Sequence, residues 1–350
     1  MKKVKNMVGK ERMNSTTKLL QLLGSPFALA TNLALDDAEL VKLYRKSIRN
    51  RMLFLYLETM RERNVDFFSV RYQEEKARYL KTSNAIARIA EVLTNVHVKY
   101  AVFKTIRPYK STTVDLDILI LEDRSYIKSI EAMQKARYKL LVNGPRSTTF
   151  WDKEAGIGID LYKQVAVSFI TYMNKQTLIP HVTTTKLSNN KHAKVLRPEA
   201  DLACIITHSI IKEQMYTLSE YYTFIYYLKQ MNINDFIQLL RQNNITYVAR
   251  THSTITATLH QVAHKTIPRE LQQILDYLGE DNFEKARLIK NGFETPHKYH
   301  PITVARSLLE ITKGNETRKS IGTQLIHMLN LNVSKDFLKK FIGHIRRETY

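Results

Sequence analysis

Two aspartates interrupt an apolar run of strand length. Asp115 and Asp117 lie in the run from Val114 to Leu121, whose other members are valine, leucine and isoleucine. Residues two apart on a strand share a face, so both carboxylates would lie side by side. Aspartate is depleted in strands, and neighbouring carboxylates repel each other unless a cation lies between them. Magnesium and manganese take oxygen ligands, so the spacing predicts a divalent-cation site.

A third aspartate lies in a later stretch of strand character. Asp160 falls between Ile157 and Val167, after a turn that carries Asp152 and Glu154. If this strand neighbours the first, three carboxylates converge on a pair of ions, which can activate an attacking oxygen and screen a leaving phosphate. We therefore expect Asp160 to complete the site, with Asp152 or Glu154 as alternatives if the turn folds over it.

The arrangement of these motifs resembles a known superfamily. Phe103-Lys104, the Asp-Leu-Asp strand and Ile159-Asp160-Leu161-Tyr162 together resemble the nucleotidyltransferases related to DNA polymerase beta, especially their minimal members. The likeness covers residues 85–167, and a weaker one extends to the helix that starts at Pro198. The chain departs from the family pattern at one point, because Lys104-Thr105 stands where the family has Gly-Ser.

The resemblance implies an activity and roles for individual residues. Members transfer a nucleoside monophosphate from an NTP to an acceptor hydroxyl and release pyrophosphate. By this likeness, Asp115 and Asp117 would hold Mg²⁺ (or Mn²⁺), and Asp160 would complete the site and help to deprotonate the acceptor. Cationic and hydroxyl side chains of the intervening loop would contact the triphosphate of the NTP: Lys104, Thr105, Arg107 and Lys110.

The charge of the chain predicts a polyanionic partner. Its 350 residues include 54 Lys and Arg against 33 Asp and Glu, a net charge of +21. Such an excess attracts nucleic acid, so RNA, including tRNA, is the expected acceptor. Two alternatives stay open: a protein acceptor, as for toxins of the same superfamily, or a non-catalytic RNA-binding scaffold. The expected RNA contacts are Arg45, Arg49, Arg51, Lys339, Lys340, Arg346 and Arg347.

Cysteine content and hydropathy bear on the compartment. Cys204 is the only cysteine, so an intrachain disulfide cannot form and no cysteine zinc site exists. The basic, polar start of the chain lacks the apolar segment of a secretory signal, and no apolar run is long enough for a transmembrane helix. We expect a cytoplasmic protein that does not bind membranes.

The elements that must position the acids predict an α+β fold. A helix ending near Leu93 leads into a strand at Tyr100, and a second helix is expected after the Asp-x-Asp strand. The interpretation is a small nucleotidyltransferase-like mixed-sheet core with helical N-terminal and C-terminal segments. Residues 177–196 are expected to form a loop with at most a short strand. The predicted divisions are a flexible basic tail (1–14), an N-terminal helical segment (15–95), the core (96–196) and a C-terminal helical domain (197–350).

Overall fold

The computed structural model describes residues 14–328, and the predictions for the basic tail and for the last four RNA-binding residues fall largely or wholly outside this range. The strands are β1 Tyr100–Val102, β2 Asp115–Ile120, β3 Lys139–Asn143, β4 Ser147–Asp152, β5 Ile157–Tyr162, β6 Val165–Val167, β7 Ile170–Met173, β8 Val182–Lys186, β9 His192–Leu196, β10 Met215–Tyr216 and β11 His297–Lys298. The helices are α1 Ser15–Leu23, α2 Asp37–Arg49, α3 Leu53–Glu62, α4 Ser69–Asn95, α5 Tyr126–Lys135, α6 Lys175–Leu178, α7 Pro198–His208, α8 Leu218–Leu228, α9 Ile233–Gln242, α10 Thr246–His264, α11 Arg269–Leu278, α12 Asn282–Lys290, α13 Pro301–Ile311 and α14 Asn315–Met328.

A seven-stranded mixed sheet forms the centre, in the order β3-β4-β5-β2-β1-β9-β8. Strand β2 pairs in parallel with β5 and antiparallel with β1, and β1 pairs in parallel with β9. Helices precede, cover and follow this sheet, so the predicted α+β class with a mixed-sheet core is confirmed. All seven strands lie between Tyr100 and Leu196.

The alternation of side chains along β2 separates apolar from catalytic chemistry. Leu116, Ile118 and Ile120 belong to a buried cluster that also contains the inward residues of α4. The opposite face carries Asp115, Asp117 and Leu119, and Leu119 belongs to a second cluster together with most of α7. The aspartates therefore lie on the face of the sheet that meets the C-terminal helices.

Two elements differ from the sequence expectation. The segment expected to be mostly loop forms a full hairpin, β8 with β9, in which β-branched threonines such as Thr183 pair with residues such as Val195. Helix α10 was not predicted because threonine disfavours helices. In the structure Thr254 and Thr258 donate their hydroxyls to backbone carbonyls four residues earlier, which satisfies them inside a buried helix.

Helix α7 ends in an irregular segment. After His208 the chain forms a five-residue π-helical turn, Ser209–Glu213, and then Gln214 adopts a left-handed conformation with φ 55°. Single π-helical turns are rare and widen the helix, which re-aims the side chains that follow. Within residues 14–328, no helix is both long enough and apolar enough to cross a membrane.

Candidate active site

Three carboxylates converge where β2 and β5 run side by side. Asp117 and Asp160 are direct partners in the parallel ladder, and Asp115 lies two residues before Asp117 on the same face. Their carboxylate oxygens all lie within 4.8 Å of one another. In the described part of the chain, this is the group of acids and histidines with the geometry to hold a metal ion. The structure thus brings together the three aspartates singled out by the sequence.

The ammonium of Lys104 lies against this acidic group. Its Nζ is 3.2 Å from Asp117 Oδ2 and lies over the rings of Phe103 and Tyr162, 4.6 and 4.7 Å from their centroids. Only 4% of the Lys104 side chain is exposed. Although the ion pair is close, Nζ makes no formed hydrogen bond to any described residue. Lys104 is therefore a buried cation held by charge and by two aromatic faces.

The loop that carries Lys104 is fixed from two sides. The Lys104 backbone N–H donates to Asp201 Oδ1 at 2.6 Å, and Asp201 Oδ2 accepts from the Tyr227 hydroxyl at 2.8 Å. Thr105 Oγ1 accepts from the Asp117 N–H at 2.9 Å, which ties the loop to β2. Lys104 has a φ of 58°, a left-handed conformation that non-glycine residues adopt at a cost, so these bonds are needed to hold it.

The three acids experience different electrostatic environments. Burial raises the pKa of Asp115 to about 6, and the neighbouring Asp117 carboxylate adds to that rise. Burial also raises the pKa of Asp160, while a hydrogen bond from the Thr149 hydroxyl partly opposes it. Burial acts in the same sense on Asp117, but the Lys104 ammonium outweighs it and holds the pKa of Asp117 below its ordinary value. Asp117 is therefore the acid already paired, and the other two still lack a counter-charge.

A cleft of about 550 Å³ opens on this group and is strongly basic on its other walls. Arg51, Arg107 and Lys212 line it opposite Asp115 and Asp117. Sequence reasoning assigned Arg51 to RNA binding and missed Lys212, because the π-helical turn that brings Lys212 to the cleft has no signature in the sequence. A cleft with acids on one wall and cations on another matches a metal-bound polyphosphate.

His208 links the cleft to the helical half of the protein. Burial, reinforced by the Lys104 charge, lowers the pKa of His208 to about 3, so the ring is neutral near pH 7. Nε2 lies 3.1 Å from Glu213 Oε1, and Nδ1 lies 3.1 Å from the Tyr172 hydroxyl. A carboxylate can only accept, so the proton sits on Nε2 and Nδ1 accepts from Tyr172. Only Nε2 is then a donor, which leaves His208 no proton to give the cleft while Glu213 holds it.

Other predicted residues lie away from the acids. Lys110 is exposed, and its Nζ pairs with Glu58 at 2.6 Å. Asp152 and Glu154 were alternatives for the third carboxylate, and that alternative is wrong because both bind the guanidinium of Arg88 at 2.7 Å. Two further predicted RNA contacts on α2 are solvent-exposed, and the four near the end of the chain lie outside the described residues: Arg45, Arg49, Lys339, Lys340, Arg346 and Arg347.

Comparisons with known proteins were then made. No protein-family model and no curated protein matches the chain. Among solved structures, an antigenic nucleotidyltransferase-like protein from Paracoccidioides brasiliensis aligns with a TM-score of 0.29 and 13% identity, over 63% of this chain and 95% of its own. The STING-associated CdnE c-di-GMP synthase from Capnocytophaga granulosa aligns with a TM-score of 0.30 and 12% identity, over 83% and 99%. These similar structures are nucleotidyltransferase-like, as the sequence resemblance predicts, but with TM-scores below 0.5 the functional argument rests on the site itself.

The raised pKa of Asp115 predicts a stabilising substitution. An acid with a raised pKa in the folded state loses stability as the pH rises from its ordinary value to the folded one, here from 3.8 to about 6. We expect Asp115→Asn to raise the free energy of unfolding by on the order of 1–3 kcal/mol above pH 6, and by little near pH 4. Urea unfolding of both proteins between pH 4 and 7.5, without divalent ions, measures this. A difference that does not grow with pH would contradict the burial of an unpaired Asp115.

Proposed function

We propose that the protein transfers a nucleoside monophosphate from an NTP to an acceptor hydroxyl on RNA, with release of pyrophosphate. The observation that carries this proposal is the convergence of Asp115, Asp117 and Asp160 from two adjacent strands at the mouth of a basic cleft. Such a site needs acids for the metal ion and cations for the phosphates at short range, and both are present.

The donor set fits a hard divalent cation. Three carboxylates lie within ligand reach of one point, and two of them have raised pKa values because their charges are buried without compensation. Oxygen ligands of this kind suit Mg²⁺ or Mn²⁺. When bound, the ion would neutralise charge on the phosphates and favour the ionised form of the acceptor oxygen.

The side chains around the cleft divide the remaining work. Asp160, a stronger base than an ordinary carboxylate because burial raises its pKa, would accept the proton of the acceptor hydroxyl. The acceptor oxygen then bonds to the α-phosphorus as the bond from that phosphorus to the bridging oxygen breaks, and pyrophosphate leaves with the electron pair. Arg51, Arg107 and Lys212 line the cleft where they can bind the triphosphate.

The loop residues predicted to contact the triphosphate have unequal support. Lys104 lines the cleft, and Thr105, whose Oγ1 accepts from Asp117, can still donate its own hydroxyl proton. Lys110 would first have to leave Glu58. We therefore expect the triphosphate to depend more on Arg107 and Lys104 than on Lys110.

Labelled substrate identifies the acceptor. The protein is incubated with each α-³²P-labelled NTP, Mg²⁺ and total cellular RNA, and the products are separated by gel electrophoresis. Label on RNA that disappears after ribonuclease supports the proposal. Label on protein instead supports the protein-modifying alternative, and RNA retention without label supports a non-catalytic binder.

The RNA acceptor predicts a steep salt dependence of binding. Each phosphate neutralised releases condensed counterions, so log affinity should fall by about 0.7 per contacted phosphate for each unit of log salt on a single strand. Neutralising the last four basic residues should flatten that slope by several such steps and leave NTP binding unchanged: Lys339, Lys340, Arg346 and Arg347. Filter binding of tRNA at several salt concentrations measures the slope.

A matched pair of helix-surface variants controls for net charge. Arg45→Gln/Arg49→Gln removes two exposed charges from α2, and Lys128→Gln/Lys135→Gln removes two from α5. Only the first should flatten the slope. Equal effects of both, or a weak affinity with almost no salt dependence, would contradict an RNA-binding surface and favour another acceptor.

A further inference from the structure

The Lys104 ammonium occupies space that a second metal ion would need. It lies 3.2 Å from Asp117 Oδ2, on the acid that faces Asp160 across the strand pair. A divalent ion bound to the same oxygen at about 2.1 Å would lie at most about 5 Å from that ammonium, with like charge. In a buried site such repulsion is only weakly screened.

The lysine has no ready route out of the site. Its backbone is anchored by Asp201, and its side chain is 4% exposed between the rings of Phe103 and Tyr162. Moving the ammonium to solvent would break its ion pair with Asp117 and remove it from both aromatic faces. The position is therefore built into the fold, unlike the exposed Lys110 of the same loop.

We propose that Lys104 is a fixed cation that replaces one of the two divalent ions, so that the site binds a single Mg²⁺ or Mn²⁺. This inference rests on the proposed function and specifies its cofactor requirement. Three carboxylates supply three negative charges, of which the ammonium compensates one and a single divalent ion compensates two. Asp115 and Asp160, the acids without a cationic partner of their own, are the main ligands left for that ion.

Counting bound manganese tests the proposal without any measurement of activity. The full-length protein is titrated with Mn²⁺ at pH 7.5 without nucleotide, and the free ion is quantified by electron paramagnetic resonance. We expect saturation at one Mn²⁺ per chain for the wild type and two for Lys104→Asn, because asparagine removes the charge and tolerates the left-handed backbone. The control Lys110→Asn, on an exposed lysine of the same loop, should stay at one.

The outcomes separate this inference from the proposed function. Two ions in the wild type, or one ion in a folded Lys104→Asn, would overturn the fixed-cation role and leave the nucleotidyl-transfer site standing. Absence of Mn²⁺ binding by the wild type would overturn both. If Lys104→Asn does not fold, Lys104→Gly also removes the charge and suits the positive φ, and the wild-type count by itself can still refute the proposal.

Discussion

Replacing Asp117 by asparagine should reduce nucleotide transfer by more than about 100-fold and also destabilise the protein. Activity falls because the variant loses a negative charge at the centre of the acidic group, between Asp115 on its own strand and Asp160 on the next. Stability falls because the buried Lys104 ammonium loses its nearest counter-charge. The loss of unfolding free energy should be on the order of 1–3 kcal/mol.

The structure reverses part of the sequence-based expectation here. Repulsion between neighbouring acids predicts equal or higher stability for both Asp115→Asn and Asp117→Asn. The lowered pKa of Asp117 shows that the charged form of this acid is favoured in the fold, so its removal costs stability, whereas removal of Asp115 relieves strain between charges.

Transfer assays and urea unfolding of the two variants, compared with Glu154→Gln, measure these effects. Glu154 is an exposed acid paired with Arg88 near the start of β5, so its variant should keep near-normal activity. Near-normal activity of Asp117→Asn, or an activity loss as large in Glu154→Gln, would show that the acidic group is not the catalytic centre.

The second large effect concerns Asp160. Asp160→Asn should lower kcat by about 10²- to 10⁴-fold, the usual contribution of a general base, with a much smaller change in KM for the NTP. Thr149→Val provides a finer test, because the Thr149 hydroxyl donates to the Asp160 carboxylate and stabilises its charged form. Its loss should raise the pKa of Asp160 and move the rising limb of the pH–rate profile to higher pH.

Steady-state kinetics from pH 5 to 9 for the three proteins separates a base from a merely structural acid. A profile that shifts in Thr149→Val while Asp160→Asn loses kcat supports the assigned role. A large rise in KM with unchanged kcat in Asp160→Asn would instead make Asp160 a substrate-binding residue.

The acidic group was predictable because it depends on local rules. Two acids at a spacing of two residues in an apolar run must share a strand face, and the second run around Asp160 has the length of a neighbouring strand. Only the pairing of β2 with β5, which sets Asp117 opposite Asp160, had to be supplied by the resemblance.

The cationic half of the site depends on contacts distant in sequence. Lys104 reaches Asp117 because Asp201, on α7, holds the loop in a left-handed turn, and Lys212 reaches the cleft through a π-helical turn. Neither conformation has a sequence pattern, so sequence reasoning placed Lys104 on the triphosphate and overlooked Lys212. The pairing of Asp152 with Arg88 was likewise invisible, because Arg88 belongs to α4, far earlier in the chain.

The position of the phosphate bond that is cleaved tests the central claim most directly. The protein is incubated with Mg²⁺, RNA and ATP, UTP, CTP or GTP labelled in separate reactions at the α- or the γ-phosphate, beside Asp117→Asn as the inactive control. Nucleotidyl transfer predicts α-label on the acceptor and γ-label in pyrophosphate, both absent in the variant. Release of γ-label as orthophosphate, or equal cleavage by wild type and Asp117→Asn, would contradict a nucleotidyl-transfer site built on these three aspartates.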